Sequence, residues 1–189
     1  RGDFNEIKNN LNACIDGLGG LVEANAVLQR LAVNDYTEHV QGQYDGIFDE
    51  VGGAVNTVRD RLMRLQDTAL NIAQGDLSDL ELYRQIGDGA GKRSENDQMA
   101  PAYISMMEAL QGLVHEVEGL SEAAVRGDLD VRGHASRFSG EFANVVEGVN
   151  ATLDAVVDPM QAVSQAMSRV ASGDLTVEMN GKYRGDYAK

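Results

Sequence analysis

Four stretches of the chain place apolar side chains at alternating three- and four-residue steps, the signature of helices with one apolar seam. The first runs through Phe4, Ile7, Leu11, Cys14, Leu18 and Leu21, and the second through Phe48, Val51, Val55, Val58, Leu62, Leu65, Ala69 and Ile72. The third takes in Met99, Tyr103, Met106, Leu110, Leu113, Val117, Leu120 and Ala124, and the fourth Val146, Val149, Leu153, Val156, Met160, Val163, Met167 and Val170. Polar connectors at about 35–43, 76–96 and 128–139 separate them, too poor in apolar anchors to form a core of their own. The pattern predicts an all-α chain. Pro159 falls inside the fourth seam, where it removes a helical hydrogen bond and predicts a kink or a break.

The seams are punctuated by a repeat. Ala73-Gln74-Gly75-Asp76-Leu77, Val125-Arg126-Gly127-Asp128-Leu129 and Ala171-Ser172-Gly173-Asp174-Leu175 read alike, and Ala32-Val33-Asn34-Asp35-Tyr36 has the same form. Glycine, with asparagine next, is the residue that can end a helix in the left-handed conformation. The aspartate that follows can bond backbone N–H groups and open a turn. Next come Tyr36, Leu77, Leu129 and Leu175, which can tuck the connector onto the helices, with Val40, Val131 and Val177 a step later.

A second landmark precedes each helix: Tyr44-Asp45-Gly46-Ile47-Phe48, Phe138-Ser139-Gly140-Glu141-Phe142, Tyr183-Arg184-Gly185-Asp186-Tyr187, and Arg1-Gly2-Asp3-Phe4 at the start. The second repeat has Ser94-Glu95-Asn96-Asp97 instead. Eight residues after Phe4, Phe48 and Phe142 stands an asparagine behind an apolar residue: Leu11-Asn12, Val55-Asn56, Val149-Asn150. The chain reads as a section of a periodic array. A connector of ten or more extended residues spans ~30 Å, about the length of a 20-residue helix, so it can return along one helix and start the next parallel to it. Two helices make too small a core alone, and pairing two chains into a parallel four-helix bundle is the expected remedy.

Composition agrees with helix–helix seams. Aromatics are 5% of the 189 residues and Trp is absent. The formal charge of −14 argues against a nucleic-acid backbone, which needs clustered Lys and Arg. No basic run suits an anionic membrane surface, and no apolar stretch approaches the ~18 residues of a membrane span.

Helix, Gly-Asp-Leu connector and second helix, repeated head to tail, resembles the HAMP domain in a tandem array, over essentially the whole chain. Residues 3–12, Asp3-Phe4-Asn5-Glu6-Ile7-Lys8-Asn9-Asn10-Leu11-Asn12, and the stretch Val146-Glu147-Gly148-Val149-Asn150-Ala151-Thr152-Leu153-Asp154 look like segments of cytoplasmic poly-HAMP chemoreceptors and hybrid sensor kinases. Pro159 lies where a HAMP first helix often carries proline. The resemblance implies stacked parallel four-helix bundles, formed by a homodimer as an elongated rod. Its expected division is 1–17, the second helix of an incomplete module; modules at 18–64, 65–112 (with the long connector) and 113–157; and 158–189, the first helix and connector of a further one.

The implied function is a signal relay. Helix repacking in the dimer passes conformational change from a sensor to an output domain, in a methyl-accepting chemotaxis receptor or, alternatively, a sensor histidine kinase. The candidate positions are the helix stops and connectors, Asn34, Asp35, Tyr36, Gly75, Asp76, Leu77, Gly127, Asp128, Leu129, Gly173, Asp174 and Leu175. With them go the seam residues Phe4, Ile7, Leu11, Cys14, Phe48, Val51, Val55, Val58, Leu62, Met106, Leu110, Leu113, Val149, Leu153, Val156 and Pro159. The partners are a second copy and the sensor and output domains of a longer, cytoplasmic or membrane-anchored chain. A passive coiled-coil spacer has no use for the recurring connectors.

Nothing in the sequence points to catalysis, a cofactor or a metal. His39, His115 and His134 share no ligand spacing. His115-Glu116 lacks the residues that follow a kinase phospho-acceptor, and reads as an exposed helical position. Gly87-Asp88-Gly89-Ala90-Gly91 has neither a preceding strand nor a following Lys-Ser/Thr, so it reads as a flexible connector. The many carboxylates read as solvated outer faces. Cys14, the one cysteine, would face its own mate in a parallel dimer.

Overall fold

The computed structural model describes residues 2–178 and Gly185. The four seams lie on four long helices: α1, Gly2–Leu31; α2, Ile47–Ala73; α4, Met99–Arg126; and α5, Glu141–Ala171. A short helix α3, Asp79–Arg84, and a 3₁₀ turn, Ala135–Arg137, lie in the connectors, and there is no strand among the described residues. Arg1, Met179 and the landmark at 183–187 (Gly185 apart) lie outside the described residues.

The four helix stops share one geometry. Asn34, Gly75, Gly127 and Gly173 have φ of 60°, 81°, 87° and 94°. After each, the aspartate's N–H reaches back to a carbonyl five residues earlier: Asp35 to Arg30 (3.0 Å), Asp76 to Asn71 (2.9 Å), Asp128 to Ala123 (2.9 Å) and Asp174 to Arg169 (3.0 Å). That bond closes a Schellman turn, satisfying carbonyls that the helix end would leave unpaired.

The chain forms two units, Arg1–Asp79 and Leu80–Lys189. In the first, α1 and α2 enclose a small core of Ala24, Val27, Leu31, Val40 and Val55, with Tyr36, Tyr44 and Val51 packed against it. The face of α1 turned inward carries Gly17, Gly20, Ala24, Val27 and Leu31, one residue round from the predicted seam. Its small residues admit aromatic rings: a Cβ on Gly20 would lie 2.9 Å from Cγ of Tyr44, and one on Gly17 would strike the Phe48 ring. The second unit buries Ala100, Met107, Leu120 and Ala123 of α4 and Val146 and Val157 of α5. Phe138 covers Gly112 there, at 3.4 Å from a Cβ built on it.

The structure departs from the sequence reading at four points. First, Pro159 does not break the helix: α5 continues through it over 31 residues, since proline removes one N–H and so one hydrogen bond of many. Second, the 76–96 connector is not purely polar: it folds α3 and buries Leu80 and Tyr83. Third, tucking is uneven. Val40 is buried, Tyr36, Leu77, Leu129 and Val177 are half-buried, and Val131 and Leu175 stay exposed at 45% and 81%. Fourth, the α4 positions buried nearest its N-terminus, Ala100 and Met107, stand one residue round from the predicted Met99 and Met106.

Candidate functional site: clamps on the connectors

Each unit holds its connector between a glutamate on the first helix and an asparagine on the second. In the first unit, Val40 N–H donates to Asn56 Oδ1 (2.8 Å) and Asn56 Nδ2 donates to the Val40 carbonyl (2.9 Å). In the second, Gly133 N–H donates to Asn150 Oδ1 (2.7 Å) and Asn150 Nδ2 to the Gly133 carbonyl (2.9 Å). A carboxamide is the side chain that offers one donor and one acceptor in this spacing, so it replaces a strand partner for one connector residue.

The glutamates face the same segments from the other helix. Glu23 accepts from Gln41 N–H (2.8 Å), Gly42 N–H (3.2 Å) and the Tyr44 hydroxyl (2.7 Å). Glu116 accepts from His134 N–H (2.6 Å), and lies 3.0 Å from His134 Nδ1 and 3.4 Å from Arg137 Nη1. Hydrogen bonds to the charged form hold both carboxyls below the usual glutamate range. The Gln41 N–H is the largest cause for Glu23, and the His134 N–H for Glu116. The Tyr44 phenol is correspondingly pushed up by Glu23.

Arginines close the remaining carbonyls. Arg59 Nε donates to the Tyr36 carbonyl at 2.7 Å. In the other unit Arg132, a connector residue, donates to the Leu129 and Val131 carbonyls and pairs with Asp154 of α5 at 2.7 Å. At the stops, Asp35 accepts from the Thr37 hydroxyl and N–H (2.7 and 3.1 Å), Asp174 likewise from Thr176 (2.6 and 3.0 Å), and Asp76 from Ser78 N–H (2.9 Å). These bonds lower all three carboxyls. Asp128 has Asp130 two residues on, no hydroxyl, and pairs with Arg126 at 3.3 Å.

The predicted seam is divided. Val55 is buried and Phe48, Val51, Leu62, Leu110, Leu113, Val149, Leu153 and Pro159 are half-buried, whereas Phe4, Ile7, Leu11, Cys14, Val58, Met106 and Val156 are exposed. Glu23, Glu116, Asn56 and Asn150 are the residues that sequence reasoning missed as a site. The Asn landmark was visible; the glutamates looked like any other outer-face carboxylate. Among the described residues no group of three or more His, Cys, Asp or Glu could hold a metal ion, and no helix is long and apolar enough to cross a membrane. The arrangement braces the connector backbone.

Residues 137–189 match the HAMP domain family, so the chain carries a HAMP domain there, covering α5 and the Gly173-Asp174-Leu175 stop. A HAMP domain marks a signal-relay linker of sensor proteins. No curated protein and no solved structure matches the chain.

Proposed function

We propose that the whole chain is a tandem HAMP array working as a parallel homodimer, a non-enzymatic relay between the sensor and output domains of a cytoplasmic or membrane-anchored chemotaxis receptor. The carrying observation is that the Glu–connector–Asn clamp is built twice. The glutamate stands eighteen residues before its connector partner in both units (Glu23 and Gln41, Glu116 and His134), and of the clamping side chains Asn150 alone falls inside the matched span. The recurrence of one clamp geometry in both units, Glu23–Asn56 and Glu116–Asn150, supports reading them as copies of one module.

The second copy is supported by what the helices leave uncovered. Leu18, Leu21 and Leu28 of α1 are 53%, 42% and 46% exposed, beside the inward stripe, and Met160, Val163, Met167 and Val170 of α5 are 52%, 43%, 66% and 44% exposed. Contiguous apolar stripes of this kind mark association surfaces. Two packings of such a seam that differ by only ~1–3 kcal/mol are enough to carry a signal. The chemotaxis reading rests on the likeness of residues 3–12 and 146–154 to poly-HAMP chemoreceptors; the same likeness to hybrid sensor kinases keeps a kinase linker as the alternative.

Sedimentation equilibrium with mild oxidation of Cys14 tests the reading. A dimer that cross-links through Cys14 supports two equivalent helices in parallel. A monomer, or a dimer that resists cross-linking, overturns it.

A further inference from the structure

The middle connector departs from the other two, and the departure has a definite form. Leu80 and Tyr83 of α3 are 4% and 7% exposed, and Ala100 and Met107 of α4 are fully buried. The Tyr83 ring stacks on Tyr103 of α4 with centroids 5.5 Å apart and planes 20° from parallel. Arg84 pairs with Glu108 of α4 at 2.8 Å, and both line one end of a cleft that continues along α4 to Phe138 and Phe142.

Beyond α3 the backbone turns left-handed at Gly87, Asp88, Gly89 and Gly91 (φ 64°, 55°, 88° and 67°). The far end is fixed by Asp97, which accepts from Arg93 N–H (2.8 Å), Met99 N–H (3.0 Å) and Ala100 N–H (3.2 Å). A glycine-rich stretch thus separates the short helix from a pinned end.

A helix of six residues is far below the ~12–15 at which an isolated helix becomes even marginal in water. α3 therefore exists only while it is docked, and undocking and unfolding are one event. We propose that α3 is a releasable latch on α4: docked through Tyr83 and Arg84 it fixes the rotation of α4, and unfolded into the glycine-rich connector it frees that helix to repack. The other two connectors are held by backbone clamps and form no α-helix, one of them carrying only the 3₁₀ turn Ala135–Arg137. The meaning of α3 as regulation rests on the relay reading above; its existence as a latch does not.

Hydrogen exchange on the 189-residue chain tests it, with Tyr83→Ala, Arg84→Ala and Tyr83→Phe. We expect residues 79–84 to exchange as one unit. Y83A should speed that exchange by about tenfold or more and carry residues 99–112 of α4 with it, R84A should do so less, and Y83F, which keeps the ring, should match the parent. Residues 47–66 of α2, ahead of the Thr68 and Asn71 side chains that donate to Asp79 Oδ2 of α3 (2.9 and 3.1 Å), should not change. If Y83A speeds α3 while 99–112 stays as before, α3 holds nothing and the latch is wrong. If Y83A loosens α2 and α4 alike, α3 belongs to a single core and cannot be released separately, which also overturns it. The mass of the same sample reports on the dimer independently, so the relay reading and the latch can fail apart.

Discussion

The two clamped units fill the same contact from opposite sides. In the first, the connector supplies Val40, whose Cγ1 would lie 3.1 Å from a Cβ on Gly52, four residues before the clamping Asn56. In the second, the connector supplies Gly133, and the helix supplies Val146, four residues before Asn150; a Cβ on Gly133 would lie 2.7 Å from Val146 Cγ1 and 3.1 Å from Leu120 Cδ1. One valine is present each time and one glycine opposite it. What is kept between the units is the volume at the clamp and the two asparagine bonds, not the identity of the residue that fills it.

The largest effect should come from spoiling that exchange. Gly133→Val places two branched side chains where one fits, and should cost the second unit about 1–3 kcal/mol by overpacking, seen as a lower denaturation midpoint. Adding Val146→Gly rebuilds the arrangement of the first unit and should recover most of the loss, short by about 1 kcal/mol for a glycine inside a helix. Val40→Gly with Gly52→Val is the mirror experiment. Strict additivity in either cycle would show that the two pairs do not share a contact.

Next in size is the clamp itself. Asn150→Ala leaves the Gly133 N–H and carbonyl without their partners in a half-buried position, and should cost about 1–3 kcal/mol with faster exchange of the 128–139 connector. Asn56→Ala should do the same to 35–43. Asn150→Asp keeps the acceptor and loses the donor, so it should fall between. Equal exchange in the alanine variants and the parent would show the connectors are held by something else.

Why the helices were legible and the clamps only partly so follows from the physics of each. Seam periodicity and the stop residues Asn34, Gly75, Gly127 and Gly173 are local properties, readable because a left-handed φ selects glycine or asparagine. Asn56 and Asn150 were visible as a landmark but without a partner, since a bond across sixteen or seventeen residues leaves no mark in either neighbourhood. Glu23 and Glu116 could not be told from the outer-face carboxylates, because what distinguishes them is a returning backbone. α3 was missed for the opposite reason. A short helix has no period to detect, and Leu80 and Tyr83 acquire meaning only once Tyr103 is beside them.

Acid should separate the units by their glutamates. A carboxyl lowered in the folded chain binds fewer protons there than in the unfolded chain. Its contribution is therefore complete above the ordinary glutamate value of about 4.3, and is lost as pH falls through the depressed folded value. Stability of the first unit should decline over that acid window through Glu23, and that of the second through Glu116. Glu23→Gln should flatten the decline in the first unit alone, and Glu116→Gln in the second. If either change flattened both, the two clamps would not be independent.

The smallest effect belongs to the arginines at the stops. Arg30 pairs with Asp35 at 2.7 Å and Arg169 with Asp174 at 2.6 Å, with side chains 46% and 34%, and 60% and 34%, exposed. Both aspartates already accept two bonds from a threonine, and both stops are closed by the backbone turn, so the arginine adds charge to a turn that is complete without it. Exposed pairs of this kind are screened by salt and contribute little. Arg30→Gln and Arg169→Gln should shift the midpoint slightly at low ionic strength and not at all in about 1 M salt, where the Debye length is near 3 Å. Gly127, whose Asp128 lacks the threonine, provides the contrast: Arg126→Gln should matter more there if the arginine substitutes for the missing hydroxyl. An equally small shift at all three stops would mean the Schellman turn alone ends these helices.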